Sequence, residues 1–402
     1  MKKVFVVGAK RSAIGSFMGT LSPMHPAEFG SQVLKVLLEE SKVDVKKIDE
    51  VLVGNILPAG LKQGVARQIS IYSGIPSTVP AYGVNMVCGS GMKAVMNGYS
   101  NIALGLHDLV VAGGVESMSG TPYLVPAQVR SGLKMGEQPL RDHMLYDALT
   151  DAFEGYHMGV TAEHIAQKYS ITREEQDAFA WDSQQKAAKA QDEGKFKEEI
   201  VPIIIKTRKA DITFDADEYI NRSTSLEKLG TLRPAFQKDG TVTAGSSSGI
   251  NDGASFMMLA SEDAVKKYNL KPLAEIVGVG QGGVDPSIMG LGPTPAIQQA
   301  LKQAKLNIKD IGLFELNEAF AVQSLGVVKE LTDAFDITKE DLMSKTNING
   351  GAIALGHPVG ASGNRIMVTL LHEMLKQPRI EYGLASLCIG GGMGTAVILK
   401  KV

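Results

Sequence analysis

Short runs of apolar residues recur along the chain, and they alternate with longer segments in which apolar residues return every three or four positions. The short runs predict buried strands at 4–7, 51–53, 109–112, 256–259, 274–279, 313–316, 384–387 and 396–399. The longer segments have helical periodicity and predict helices at 29–41, 91–103, 295–304 and 319–329. Strands that alternate with helices indicate an α/β fold in which helices cover a mixed sheet.

The sequence also repeats itself in outline. "NMVCGSGMKAVMNGYSNIAL" and "NINGGAIALGHPVGASGNRIMVTLL" each place an Asn before a glycine-rich turn and a helix. "HDLVVAGGVESM" and "YGLASLCIGGGMGTAVIL" each run from an apolar strand into glycines, and "IDEVLVGNIL" resembles "IGLFELNEAF". The repeat predicts two similar α/β halves that arose by duplication.

Residues 121–245 fit neither half, because they are poor in strand patterns and rich in Pro, Gly and charge. A polar helix is predicted at 172–193, where "TREE" places Thr172 as N-cap and Glu175 three positions later in a capping box. The segment is therefore interpreted as an inserted, loop-rich subdomain. Long loops of this kind are usually functional.

Composition narrows the class of protein. The 402 residues predict two or three domains, and 44% hydrophobic with 21% charged residues are enough for a large core. The formal net charge of -2 gives no electrostatic reason to bind nucleic acid or an anionic membrane, and no apolar stretch is long enough to span a bilayer. Two cysteines make no disulfide framework, so the cytoplasm is the expected location. Neither metal-ligand spacing, nor a P-loop, nor a dinucleotide fingerprint is present, and no metal is expected.

Four polar residues stand at predicted strand ends in glycine-rich surroundings: Cys88, Asn317, His357 and Cys388. Cys88 precedes a predicted helix, and a helix N-terminus lowers the pKa of a thiol, which favours a nucleophile. Each residue alone also has a structural interpretation: a buried core thiol, a loop histidine with its hydrogen bonds satisfied, or an N-cap asparagine. The four together favour a catalytic site.

The chain resembles the thiolase family, and in particular its short-chain members that transfer acetyl groups. The resemblance covers essentially the whole chain and lies in seven stretches that follow the order of that family: "NMVCGSGMKA", "GGVESMS", "GYHMGVTAE", "TVTAGSSSGINDGA", "NEAFA", "NGGAIALGHPVGASG" and "CIGGGMGTA". It implies a five-layered αβαβα fold, with the active site where helix N-termini of the two halves meet and with a loop domain covering it. The implied domains are 1–120 with 246–270, the loop domain 121–245, and 271–402.

The resemblance also implies a reaction, the reversible Claisen condensation of two acetyl-CoA to acetoacetyl-CoA and CoA. Cys88 would carry the acetyl group, His357 would accept the proton of Cys88, and Cys388 would take the C2 proton of acetyl-CoA. Thiols with near-neutral pKa values would suit this proton transfer. The enolate oxygen would be bound by His357 and a water held by Asn317, and the acyl carbonyl by backbone N–H groups of Cys88 and Gly390.

Coenzyme A thioesters would be substrates, and no resident cofactor is expected. The residues carried over for coenzyme A binding are Leu149, His157, Met158, Arg222, Phe236, Ala244 and Ser248. Simple packing is the alternative for the apolar members, and surface exposure is the alternative for His157. One departure affects the nucleotide contacts: the family often has a basic residue after "ADEYI", whereas Asn221 stands there and Arg222 follows.

Three alternative functions remain open at this point. A longer-chain 3-ketoacyl-CoA thiolase of fatty-acid degradation would use the same catalytic groups, although Met158 in "GYHMG" favours a short acyl pocket. A decarboxylating ketoacyl synthase has a similar fold, but Cys388 in its CxGGGxG setting argues against it. A catalytically silent carrier of coenzyme A or lipid is disfavoured because all four polar groups are present. The resemblance further implies a homotetramer of two dimers, with "YLVPAQVRSGLKMG" as the tetramer loop.

Overall fold

A computed structural model of the chain describes residues 2–402. Its strands are β1 (Val4–Ser12), β2 (Gly15–Ser16), β3 (Glu50–Gly54), β4 (Ala81–Val84), β5 (Leu109–Ser117), β6 (Tyr123–Leu124), β7 (Arg141–Asp142), β8 (Ile200–Val201), β9 (Ile203–Ile205), β10 (Ile212–Phe214), β11 (Asn251–Ser261), β12 (Ala274–Gly283), β13 (Ile311–Leu316), β14 (Tyr382–Ile389) and β15 (Met393–Lys401). Its α-helices are α1 (Pro26–Ser41), α2 (Val65–Tyr72), α3 (Ser90–Ala103), α4 (Met158–Tyr169), α5 (Arg173–Asp192), α6 (Leu226–Gly230), α7 (Glu262–Lys267), α8 (Pro293–Ala304), α9 (Ala321–Ala334), α10 (Lys339–Ser344), α11 (Ala352–Leu355) and α12 (Val359–Lys376).

All eight predicted strands are present, and each extends beyond its apolar run. The predicted helices are confirmed as α1, α3, α8, α9 and α5, and α5 begins with the expected capping box between Thr172 and Glu175. Strand β4 and helices α2 and α4 were not predicted. The sequence of β4, "AYGV", contains a glycine and is only partly buried at the edge of the sheet, so it lacks the apolar run that marks an inner strand.

The main sheet has the strand order β13-β14-β15-β12-β1-β11-β5-β3-β4, with β2 paired to β11 and β8 to β1. In the first half, β1, β11 and β5 are antiparallel neighbours and β3 joins β5 in parallel. In the second half, β12, β15 and β14 are antiparallel neighbours and β13 joins β14 in parallel. The same order and the same orientations occur twice, which confirms the predicted duplication. The two half-sheets meet where Phe5 and Val6 of β1 pair with β12.

Three hydrophobic layers alternate with the two half-sheets. Helices α1 and α2 cover the outer face of the first half-sheet, α3 and α12 lie between the two half-sheets, and α8 and α9 cover the outer face of the second. Successive strand residues face opposite sides of a sheet. Val110 of β5 therefore packs in the middle layer and Val111 in the first outer layer. This is the expected five-layered αβαβα arrangement. Within residues 2–402, no helix is both long and apolar enough to cross a membrane.

Glycines bring the starts of the two middle-layer helices together. A Cβ atom added to Gly91, in the first turn of α3, would lie 2.9 Å from the carbonyl oxygen of Gly360 in α12. A Cβ atom on Gly114 of β5 would lie 2.0 Å from the same oxygen. Both distances are shorter than real Cβ contacts allow, so larger residues here would force the helix starts apart.

The segment between β5 and β11 forms the insertion, with α4, α5 and α6 and several two- or three-residue strands. A buried ionic cluster attaches it to β1: the Nε of Arg11 lies 2.6 Å from Glu199, and its Nη1 lies 2.7 Å from Asp217. Removing one member of such a cluster leaves an uncompensated buried charge, which is strongly destabilising. The division of the chain at residues 120, 245 and 270 stays a prediction.

Candidate active site

A cavity of about 420 Å³ lies where the two halves and the insertion meet. Cys88 reaches it from the turn before α3, His357 from the turn before α12, and Cys388 from the end of β14. Most of the other lining residues are apolar: Phe17, Val87, Met118, Ala148, Leu149, Met158, Ala235, Phe236, Ala244, Ile250, Met289, Ala319, Phe320 and Val359. Three of the four polar residues singled out in the sequence therefore share one largely apolar cavity.

The turn that carries Cys88 is held in an unusual conformation. Val87 has φ 45, a left-handed backbone that a β-branched residue rarely adopts. The hydroxyl of Ser90 fixes the turn, because it accepts a hydrogen bond from the N–H of Met86 at 2.8 Å and donates to the carbonyl of Val87 at 2.6 Å. The turn also packs against the Cys388 strand end, since a Cβ atom on Gly89 would lie 2.3 Å from the Cδ1 of Ile389.

The pKa values of the two thiols are not near neutral. The expectation from the sequence was that they would be. Burial raises the pKa of Cys88 to about 11, although the backbone N–H groups of Gly390 and of Cys88 itself act in the opposite direction. Burial also raises the pKa of Cys388, and the nearby Cys88 adds to that effect. The expectation was wrong because desolvation of the thiolate outweighs the stabilisation from the helix N-terminus. Both cysteines are protonated at neutral pH.

Hydrogen bonding at Nδ1 indicates the tautomer of His357. Its Nδ1 lies 2.6 Å from the Oγ of Ser362, and that Oγ lies 2.9 Å from the carbonyl oxygen of Pro358. A hydroxyl has one hydrogen, and we assign it to the hydrogen bond with the Pro358 carbonyl. With that assignment, Ser362 accepts the hydrogen bond from Nδ1–H, and Nε2 carries the free lone pair. Nε2 has no hydrogen-bond partner within residues 2–402.

The imidazole of His357 is neutral. Burial lowers its pKa to about 3, and the nearby guanidinium of Arg365 acts in the same direction. A neutral imidazole with a bare Nε2 in the cavity can accept a proton. Sequence reasoning identified His357 but missed Ser362. The available signal was its spacing, five residues after the histidine and within the first turn of the helix that follows.

Asn317 and Gly390 occupy different places. Gly390 lines the cavity, and its backbone N–H is directed at the sulfur of Cys88. Asn317 is buried just after β13, where its backbone N–H donates to the carbonyl of Ser386 at 3.0 Å. Its side-chain oxygen and nitrogen have no hydrogen-bond partner within the described chain, and the side chain does not line the cavity. An unsatisfied buried amide of this kind is suited to holding a water molecule.

A buried carboxylate outside the cavity holds backbone segments that lie next to it. Glu116 of β5 accepts hydrogen bonds from the N–H groups of Ile56 and Gly360 at 3.0 and 2.9 Å, and from the side chain of Asn55 at 2.8 Å. Burial raises the pKa of Glu116 to about 7. The carboxylate ties the ends of β3 and β5 to the start of α12, and so helps to place the loop of His357. Glu116 lies in the stretch "GGVESMS", and the sequence alone indicates no role for it.

Six of the seven residues carried over for coenzyme A binding line the cavity: Leu149, His157, Met158, Phe236, Ala244 and Ser248. The ring of His157 stacks on Phe236 with centroids 4.7 Å apart, and its Nδ1 accepts the N–H of Gly159 at 3.0 Å. Burial lowers the pKa of His157, so this ring is also neutral. Gly159 leaves room for the stack, because a Cβ atom there would lie 2.1 Å from the Phe236 ring.

Arg222, the seventh residue carried over for coenzyme A binding, lies outside this cavity. Its guanidinium donates two hydrogen bonds to Asp192 at 2.9 and 2.8 Å and one to Gln191 at 2.8 Å. It does not line the cavity that contains the cysteines. Within residues 2–402, no cluster of three or more His, Cys, Asp or Glu side chains is arranged to hold a metal ion.

Comparison with known proteins gives a consistent result over the whole chain. Residues 4–263 match the family described as "Thiolase, N-terminal domain", and residues 270–401 match "Thiolase, C-terminal domain". A protein of Chromobacterium violaceum named acetyl-CoA acetyltransferase is 51% identical over 400 residues, which cover 99% of this chain and 100% of that protein.

Two solved structures superpose closely on this one. The acetyl-CoA acetyltransferase of Syntrophomonas wolfei has a TM-score of 0.96 at 43% identity, with 100% of both chains covered. The human mitochondrial 3-ketoacyl-CoA thiolase has a TM-score of 0.94 at 45% identity, covering 100% of this chain and 99% of that one.

Proposed function

The chain belongs to the thiolase family of acyltransferases, and on that premise we propose that it catalyses the reversible condensation of two acetyl-CoA molecules to acetoacetyl-CoA and free coenzyme A. The observation that carries the proposal is the content of one largely apolar cavity: the thiols of Cys88 and Cys388 and the neutral imidazole of His357. Claisen chemistry between thioesters needs these parts, namely a nucleophile that holds an acyl group and bases that move protons.

In the proposed first step, the sulfur of Cys88 attacks the carbonyl carbon of acetyl-CoA while Nε2 of His357 takes the thiol proton. The carbon–sulfur bond to coenzyme A then breaks, and the imidazolium returns its proton to the departing thiolate. The products are acetylated Cys88 and free coenzyme A. The N–H of Gly390, directed at the Cys88 sulfur, is well placed to bind the oxyanion of this step.

In the proposed second step, a new acetyl-CoA loses a C2 proton to the thiolate of Cys388, whose own proton has passed to His357. The enolate carbon attacks the acetyl carbon on Cys88, and the carbon–sulfur bond to Cys88 breaks. The proton on His357 then neutralises the released Cys88 thiolate. Asn317 enters this proposal through a water that its unsatisfied side chain would hold near the enolate oxygen.

The cavity wall beside the two cysteines favours a substrate with a short acyl group. A Cβ atom added to Gly390 would lie 3.4 Å from the Cγ1 of Val87 and 3.5 Å from the Sδ of Met158. The side chains of Val87 and Met158 therefore stand close to the surface that Gly390 leaves open. On this proposal, a four-carbon ketoacyl group fits beside Gly390, and a longer chain would have to displace one of these side chains.

The second candidate function is a 3-ketoacyl-CoA thiolase that acts on longer chains. The similarity to the human mitochondrial 3-ketoacyl-CoA thiolase, at 45% identity over the whole chain, favours this candidate. The chemistry of the two candidates is the same, and only the length of the acyl group differs.

Steady-state thiolysis of acetoacetyl-CoA and of the six- and eight-carbon 3-ketoacyl-CoAs tests the proposal. We expect kcat/KM to fall at least about tenfold from four to eight carbons, because a single methylene that a fitted pocket excludes already costs about 1–3 kcal/mol. Met158→Ala should reduce the ratio of kcat/KM between the four- and eight-carbon substrates. Leu104→Ala, at an exposed side chain far from the cavity, should leave that ratio unchanged. Equal activity on all three substrates would favour the second candidate.

We also propose the homotetramer implied by the resemblance. Its support is a group of exposed apolar side chains in the segment "YLVPAQVRSGLKMG" and just beyond it: Tyr123, Val125, Val129, Leu133, Met135 and Leu140. Apolar side chains gathered on one exposed segment are typical of a contact surface. The cytoplasmic location stays a prediction.

A further inference from the structure

The backbone of His357 is held by a side chain from the other half of the fold. Asn251 is the first residue of β11, in the first half, and it is fully buried. Its Oδ1 accepts a hydrogen bond from the backbone N–H of His357 at 2.9 Å, and its Nδ2 donates to the carbonyl oxygen of Gly15 at 3.0 Å. The orientation of the amide follows from these partners, because a backbone N–H only donates and a carbonyl oxygen only accepts.

The amide of Asn251 is tightly enclosed by backbone. Gly356, the residue before His357, has φ 106, and a Cβ atom there would lie 2.5 Å from the Cγ of Asn251. A Cβ atom on Gly249 would lie 2.7 Å from its Oδ1. Glycine at both positions lets the backbone pack directly on the amide, so the amide and the turn that carries His357 determine each other's position.

The same turn is held at a second point, and again from the first half. Glu116 of β5 accepts a hydrogen bond from the N–H of Gly360, in the first turn of α12, at 2.9 Å. The ring of His357 is held separately, by the hydroxyl of Ser362 in α12 itself. Side chains of the first half therefore fix the backbone of this turn, whereas the ring is oriented from within the second half.

We propose, on the basis of the proposed role of His357 as the base, that Asn251 is a positioning residue whose hydrogen bond sets the distance from Nε2 of His357 to the sulfur of Cys88. Asn251 does not line the cavity, so it acts through His357 and not on the substrate. Proton transfer needs its two atoms within hydrogen-bond reach, and a displacement of about 1 Å can lower a rate on the order of 100-fold. Because Cys88 also belongs to the first half, an anchor in that half keeps the base at a constant distance from the nucleophile.

The experiment measures acetylation of Cys88 by intact-protein mass spectrometry over a range of acetyl-CoA concentrations. Asn251→Leu keeps the approximate size of the side chain and removes both hydrogen bonds. We expect its rate constant at saturation to fall about 10- to 100-fold, with the half-saturating concentration of acetyl-CoA within about twofold of the wild type. Asn251→Asp keeps the oxygen that faces the His357 N–H and should retain most of the rate. Asn101→Ala, which removes a side-chain hydrogen bond to Glu50 from the last turn of α3, should match the wild type.

A double-mutant cycle separates positioning from a general loss of structure. His357→Ala removes the base and should lower the rate constant of acetylation about 10²–10⁴-fold. In that background Asn251→Leu should cause no further loss beyond about twofold, because no imidazole is left to displace. Thermal unfolding of each variant checks that it is folded at the assay temperature, and Asn251→Ala takes the place of the leucine variant in the cycle if the latter unfolds.

Two outcomes would overturn the proposal. One is an unchanged rate of acetylation in Asn251→Leu, and the other is an equal loss from this substitution with and without the imidazole of His357. Failure of the proposed function is a different result. If acetyl-CoA does not acetylate wild-type Cys88, or if His357→Ala leaves the rate unchanged, the proposed chemistry itself is wrong.

Discussion

Cys88 and His357 occupy equivalent places in the two halves of the sheet. Each lies two residues before the first residue of a middle-layer helix, Ser90 in α3 and Val359 in α12. Both helices begin at the close-packed point around Gly360. In the proposed mechanism, one half presents a nucleophile at this position, and the other presents a base.

The same helix polarity suits both residues. The N-terminus of a helix carries partial positive charge, which favours an anion and disfavours a cation. At α3 it offsets part of the desolvation that raises the pKa of Cys88. At α12 it acts with burial and Arg365 to keep His357 uncharged. A duplicated backbone can thus support a thiolate that forms during the reaction and a base that is neutral before it.

The two positions differ in how they are held. The Cys88 turn is strained at Val87 and partly exposed to the cavity, whereas His357 is buried and hydrogen-bonded to Ser362. The second half also contributes Cys388. In the proposed mechanism, acyl transfer takes place on the first half, and the second half supplies the base and the second thiol.

Replacing each cysteine separately tests this division and gives the largest expected effect. Cys88→Ala should lower both acetyl exchange between thiols and condensation by on the order of 10⁶-fold, as removal of a catalytic nucleophile does elsewhere. Cys388→Ala should lower condensation about 10²–10⁴-fold, the contribution of one general acid–base group, because the C2 proton has no acceptor. Exchange of acetyl groups between coenzyme A and a second thiol is the other readout.

For Cys388→Ala we expect exchange to continue, since transfer to and from Cys88 needs no C2 proton removal. Mass analysis of peptides should show acetyl-Cys88 in this variant, and none in Cys88→Ala. Near-normal condensation by Cys388→Ala would make another group the C2 base, with His357 the first suspect. Acetylation confined to Cys388 would reverse the assignment of the two halves.

The layers of the fold could be predicted because its inner strands are buried on both faces. Runs such as those of β5 and β14 are apolar at nearly every position, so they are visible without periodicity. Edge strand β4 could not be found this way. The glycine-rich stretches indicated close backbone approach, and the contacts of Gly91 and Gly114 with Gly360 confirm it.

The sequence predicted which residues form the site, but it did not predict their protonation states. Cys88, His357 and Cys388 do meet in one cavity. Their protonation could not be derived from neighbours in sequence, because the burial that raises the thiol pKa values comes from separate segments, such as those of Met118 and Val359 around Cys88. Nor could the pairing of Arg222 with Asp192 be derived, because it depends on how the insertion folds back on α5.

Ser362→Ala tests how His357 is held at the start of α12. We expect its effect on kcat to be intermediate in size. The change leaves the buried Nδ1–H of His357 without its acceptor, at a cost of about 1–3 kcal/mol. We expect kcat to fall roughly 5- to 150-fold, with a mixture of both neutral tautomers in the ¹⁵N spectrum of His357.

The control for this variant is Ser362→Thr, which keeps a hydroxyl and should restore both the rate and the single tautomer. Thermal unfolding of both variants separates a loss of stability from a loss of positioning. Wild-type kcat together with an unchanged Nδ1–H tautomer in Ser362→Ala would show that another contact orients the ring.

The smallest effect concerns the protonation of Cys88 at rest. Because burial raises its pKa to about 11, and because only the thiolate reacts, alkylation by iodoacetamide should accelerate about tenfold per pH unit from pH 7 to 9. An ordinary thiol with a pKa near ~8.5 would begin to level off within that range. The measurement uses the Cys388→Ala background, where Cys88 is the one remaining cysteine. His357→Asn in the same background should keep the slope, because a neutral imidazole does not hold the thiolate. A plateau below pH 8 that this substitution abolishes would show instead that the two helix starts hold a thiolate–imidazolium pair before substrate arrives.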